Sequence, residues 1–135
     1  IEPNEPKESS VNTTLPVPPV VEYVIRDRVG TQTITARHLG TGSSFADGKR
    51  RWLDVDIYAE ANGGGYIVHT VGHTTFDDEI TRVRIARTRS AWEVVELLTV
   101  THKGSTYIPR DSARALAQAA AYDEAIRDAY VNRAV

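Results

Sequence analysis

Cysteine and methionine are both absent from this 135-residue chain. Without thiols there is no disulfide, no zinc–thiolate centre and no cysteine nucleophile. Long apolar runs are missing as well, and none approaches the roughly 18 residues that a membrane helix needs. No secretory pattern is read at the start, although a mature chain would have shed one. Ile1 in place of Met is expected to mark a processed or cut end. Charge of one sign is scarce: the formal net charge is −2. No overall field therefore attracts nucleic acid or an anionic membrane, and either partner would need a local basic patch. These absences point to a cytoplasmic protein with no membrane and no cofactor.

Two catalytic patterns are also lacking. Gly40-Thr41-Gly42-Ser43-Ser44 looks like a phosphate cradle, but Gly42 and Gly48 are separated by five residues and Arg50 follows Lys49. A P-loop needs four residues between its glycines and a hydroxyl after its lysine. The Gly-x-Ser-x-Gly turn that presents a nucleophilic serine does not occur. Asp77-Asp78-Glu79 is far short of a calcium loop and reads as a solvated turn.

What is present is a single-domain length with 41% hydrophobic and 25% charged residues, ordinary for a globular chain. Arg outnumbers Lys thirteen to three, a bias common in proteins of GC-rich bacterial genomes. Residues 1–19 hold all but one of the six prolines and little that could be buried. They read as a flexible arm or linker ahead of a domain spanning 20–135. The Pro-Val-Pro-Pro end lacks a charged anchor for a proline-binding groove, and Asn12-Thr13-Thr14 matches the glycosylation pattern only as short patterns do by chance.

Val20–Asp27 and Thr31–His38 read as strands joined at Val29-Gly30, with a Gly/Ser/Thr loop over Leu39–Lys49. Three further strands come between Arg51 and Arg89. Trp52–Tyr58 alternates apolar and polar side chains, Tyr66–His73 follows a glycine run, and Ile80–Ile85 alternates again. Ser90-Ala91-Trp92-Glu93 has capping-box spacing for a helix reaching about His102, unless Val100 starts a short strand. Ser112–Arg133 predicts one helix about 33 Å long, with Asp111 as N-cap. A sheet of four or five strands is narrower, so one helix end would overhang and suit a partner or a second copy of the chain. Asp123 interrupts the apolar stripe of this helix, either as a buried acid or as a marginal residue paired with Arg127.

Register tests which side chains share a surface. A two-residue Gly63-Gly64 turn sets Ala59 opposite Val68 and Val55 opposite Gly72, and a Phe76–Glu79 loop sets Gly72 opposite Val83. Leu53, Val55, Ile57, Ala59, Tyr66, Val68, Val83 and Ile85 then form a buried face. The opposite face carries Trp52, Asp54, Asp56, Tyr58, His69, His73, Arg82 and Arg84, a candidate binding surface. The expected fold is α+β: an antiparallel sheet of four to five strands with two C-terminal helices on one face and the other face wet.

Three functions fit that surface. With no complete catalytic constellation, the leading expectation is a non-catalytic module engaging a protein partner or a second copy. The open sheet face or the long helix would make the contact. A second is nucleic-acid binding, with Trp52 and Tyr58 stacking on bases between arginines. Asp54 and Asp56 oppose that second reading by neutralising those arginines. A third is a metal-assisted hydrolase using His73 with Asp54 or Asp56. His69 and His73 lie about 13 Å apart on one strand, too far to share an ion, and Arg82 beside them would repel it.

Overall fold

The computed structural model describes residues 16–133. The arm expected over 1–19 lies largely outside the described residues, as does Asn12-Thr13-Thr14. Residues 16–20 adopt no regular structure. Five antiparallel strands succeed them in meander order: β1 (Val21–Arg26), β2 (Thr31–Ser43), β3 (Arg51–Glu60), β4 (Tyr66–Thr74) and β5 (Arg82–Thr88). Then come α1 (Ala91–Leu97), a small hairpin of β6 (Val100–His102) and β7 (Ser105–Tyr107), α2 (Arg110–Tyr122) and α3 (Glu124–Val131). The protein is α+β, as its alternating and helical patterns imply.

The sheet is curled. In a flat sheet β4 and β1 would stand about 14 Å apart, three strand spacings. Instead the His69 Nε2–H on β4 donates to the Arg26 carbonyl on β1 at 2.8 Å. Ile67 of β4 joins Ile25, Ile34, Ala36 and Tyr58 in a buried cluster on the same side. That side is therefore concave. The helices cover the convex side, where Val55, Ile57, Tyr66 and Val68 meet Val94, Val95, Leu116, Ala119 and Ile126.

Close approach of α2 explains why the Gly40–Ser43 stretch, expected as loop, continues as strand. A Cβ on Gly40 would lie 2.1 Å from the Ala115 carbonyl oxygen, and one on Gly42 would lie 1.9 Å from that of Asp111. Only glycine lets helix backbone rest on strand backbone here. A bulge between His38 and Gly40 reverses the parity of β2. Ala36 and His38 face the concave side before it; Thr41 and Ser43 do so after it.

Three helical expectations change. The capping box forms as read, with Ser90 accepting from the Glu93 amide and Glu93 from the Ser90 amide. However, α1 stops at Leu97, and the Lys103-Gly104 turn, both residues at positive φ, folds Val100–Tyr107 into the β6–β7 hairpin. Asp111 is not an N-cap: α2 begins at Arg110 after Pro109, and Asp111 is buried in the first turn. The long C-terminal helix breaks at Asp123, whose extended backbone ends α2 and whose carboxylate caps α3 by accepting from the Ile126 amide at 3.0 Å. With α3 turned so that Ile126 and Ala129 are buried in the core, the expected overhanging helix end does not exist.

Candidate functional site

The β3–β4 pairing departs from the expected register by two residues: Ala59 faces Tyr66, Ile57 faces Val68 and Val55 faces Thr70. The connection is the longer Ala61–Gly65 loop, with Gly64 at φ 70°, not a two-residue glycine turn. A two-residue slip preserves parity, so Trp52, Asp54, Asp56, Tyr58, His69 and His73 share the concave face as expected.

The β4–β5 pairing departs by one residue, and that overturns part of the surface. Val71 faces Val83 and Gly72 faces Arg82. Val83 and Ile85 therefore join the concave side, while Arg82 and Arg84 point outward on the convex side, away from Asp54. The helices leave this edge of the convex sheet uncovered, so both arginines stay solvated. Meanwhile Ile85 packs against the concave cluster. A shared platform of aspartates, imidazoles and these two arginines does not form.

Nor is the concave face uniformly wet. At the β1 end it is filled: Tyr58 is 6% and Ile67 0% exposed, and His69 is buried with its Nε2–H committed to Arg26. There Tyr23, His38 and Tyr58 cluster, with the His38 and Tyr58 rings 4.9 Å apart. The His38 Nε2–H donates to Asp56 at 2.9 Å. Burial, then the charge of Asp56 and the neighbouring Tyr23, push the Tyr58 phenol up to about 12.

The other end is open, because β1 pairs with β2 no further than Val21 opposite Ala36. Here the His73 Nε2–H donates to Asp54 at 2.7 Å, and the Ser43 hydroxyl donates to the other Asp54 oxygen at 2.5 Å. Trp52 stacks on His73 with centroids 4.9 Å apart and planes at 15°, and Phe45 meets Trp52 edge-on at 5.0 Å. A cleft of about 610 Å³ lies at the same end of the sheet but chiefly on its convex side: Trp52 and His73 reach its lining, while Leu53, Gly72, Thr74 and Arg82 share the parity of the helix-covered face and Glu79 and Ile80 close it from the β4–β5 loop. Arg51 grips Glu79 through two guanidinium nitrogens and packs, with Arg50, over the Phe76 ring. Hydrogen bonds from Arg51 and Thr74 hold the Glu79 carboxyl down at about 2.

The chemistry of this constellation is limited. A hydrolytic triad needs an imidazole between serine and carboxylate, so that it can take the serine proton. Here the carboxylate sits in the middle, and Ser43 donates to Asp54 instead of His73. His38 and His73 each engage a different aspartate, and no group of three or more potential metal ligands gathers among the described residues. His38, Ser43 and Phe45 escaped the sequence reading. His38 shares the parity of Ile34 and Ala36, a signal that pairing β2 with β3 would have exposed. Ser43 and Phe45 lay in what reads as loop. In comparison with known proteins, the chain matches no family model, no curated sequence and no solved structure.

Proposed function

We propose that the protein is a non-catalytic binding module that engages a segment of a partner protein at the open end of its concave sheet face. One observation carries this reading: at that end Trp52 is braced by His73 and Phe45 with none of the described elements laid over them, and Phe45 itself is 55% exposed. Trp and Arg are the residues that dominate binding energy at protein interfaces, usually at an apolar centre ringed by polar contacts. The hydrogen-bonded Ser43, Asp54 and His73 side chains supply polar contacts beside it. The Ser43–Asp54–His73 order supports a binding role over hydrolysis, since no imidazole reaches the hydroxyl.

Selection from a displayed random-peptide library tests it. Peptides with an aromatic or aliphatic anchor are expected to enrich on the wild type. Trp52→Ala and Phe45→Ala should each weaken them at least tenfold, about 1.4 kcal/mol, with circular dichroism unchanged. No enrichment, or peptides indifferent to both substitutions, rejects the reading. Nucleic acid is the rival occupant. A gel shift of single-stranded DNA that fades with salt and with Arg82→Ala or Arg84→Ala would replace the protein partner.

A further inference from the structure

A second cleft, of about 480 Å³, opens where the β2–β3 loop meets the first turns of α2. Lys49, Arg110 and Arg114 line it beside Ser43, Ser44 and Phe45. Arg110 and Arg114 are four apart, hence on one side of the helix, and both are exposed. Among the described residues, no carboxylate forms an ion pair with any of the three basic side chains. Lys49 donates to the Ser44 carbonyl at 2.9 Å, which holds its ammonium at the loop and leaves it two further donors.

Asp111 is the sole carboxylate in the lining, and Asp47 of the same loop lies outside it. Asp111 is 5% exposed in the first turn of α2, where the unpaired amides of the helix start favour its negative charge. Three positive side chains against one buried acid leave the cleft a formal +2, on a chain whose net charge is −2. The positive patch is therefore a local feature of this cleft and not a property of the whole surface.

Phe45 joins the cleft to the Trp52 patch: its ring meets Trp52 edge-on at 5.0 Å, and it also lines the cleft. An aromatic centre and a basic margin thus lie side by side. Resting on the binding reading above, we propose that the partner segment anchored at Trp52 and Phe45 carries Asp or Glu on one side of its anchor, and that these carboxylates pair with Lys49, Arg110 and Arg114. Charge complementarity carries the choice of occupant, because the guanidinium fork matches a carboxylate with two parallel hydrogen bonds. An extended segment advances about 3.3 Å per residue, so one or two residues pass Phe45 and the acids fall about two to four positions from the anchor. The concave side offers them nothing comparable. Asp54 and Asp56 stand there, with the His73 and His38 Nε2–H groups already committed to them, and repel a second acid.

A displayed random-peptide library, selected at low salt on the full 135-residue chain and on its Arg110→Glu, Arg114→Glu double variant, tests this. On the wild type, Asp and Glu should be enriched several-fold on one side of the anchor. On the variant that preference should vanish or turn to Lys and Arg, with the anchor unchanged. An acidic peptide from the first selection should bind the variant about tenfold more weakly. The wild type should lose about as much in 1 M NaCl, a readout that stands even should the variant fail to fold. Anchored peptides with no acidic bias, or with a bias that charge reversal and salt leave intact, overturn this inference and leave the binding reading standing. No enrichment of any peptide rejects that reading and this inference with it. Single-stranded DNA that binds more tightly than the acidic peptide, and is released by charge reversal, overturns the inference by making the occupant a nucleic acid.

Discussion

Replacing Gly42 by alanine adds one methyl group, yet it should cost this protein a substantial part of its stability. The added Cβ would lie 1.9 Å from the Asp111 carbonyl oxygen, 2.9 Å from its carbon and 3.2 Å from the Ala115 nitrogen. All three atoms are backbone, so no side chain can swing aside; α2 must retreat from β2 by more than 1 Å. A gap of that size forfeits roughly half the dispersion energy of each contact it opens. Those contacts include Ala115, Leu116 and Ala119, each 0% exposed. The loss falls in the upper part of the overpacking range, about 2–4 kcal/mol. Reduced freedom of the unfolded chain returns only about 0.4–1 kcal/mol. Urea unfolding followed by tryptophan fluorescence should show the loss, alongside a thermal midpoint lower by roughly 10 °C. Gly30→Ala is the control: nothing lies within 4 Å of its Cβ, so it should be neutral or slightly stabilising. If Gly42→Ala unfolds at the same urea concentration as Gly30→Ala, the close seating of α2 on the sheet is wrong.

Two further substitutions probe the joints of the fold and the cleft. Asp123→Ala removes the α3 cap and the acceptor of the Tyr66 hydroxyl at 2.9 Å. About 1 kcal/mol for the cap and 1–2 kcal/mol for the stranded phenol should be lost in denaturant titration, with Asp123→Asn costing less; a change below about 0.5 kcal/mol contradicts the capping role. Carboxyl-carbon NMR should find Glu79 titrating near 2, below its ordinary 4.5. Its folded value is depressed, so its contribution is present above the ordinary value and disappears as pH falls through about 2. Arg51→Ala should return the midpoint toward the ordinary value, and an unmoved midpoint removes Arg51 as the cause.

Parity along β3 and β4 was legible from residue order alone. The alternation of Trp52–Ala59 and Tyr66–His73 sorts side chains to two faces under any register that slips by an even number, and the two-residue error at Gly63-Gly64 left those faces intact. The β4–β5 connection offered no such protection. Its loop is seven residues, Thr75–Thr81, not four, and a one-residue slip carried Arg82 and Arg84 to the far side. Val83 and Ile85 suit a buried face on either side of the sheet, so apolar pattern could not discriminate. Asp123 shows the same limit in a helix: its place off the apolar stripe was visible, but a kink there depends on Tyr66, fifty-seven residues away.

Local chemistry alone therefore determined the α+β class, the capping box at Ser90 and the shared face of Trp52, Asp54 and Tyr58, because each depends on spacing within single elements. Curl decided the rest. Bending the sheet brought β4 against β1, buried Tyr58, Ile67 and His69, and left only the Trp52 end exposed. No run of residues encodes that bend by itself, since it arises where a bulge at Leu39, glycines under α2 and side chains three strands apart are satisfied together.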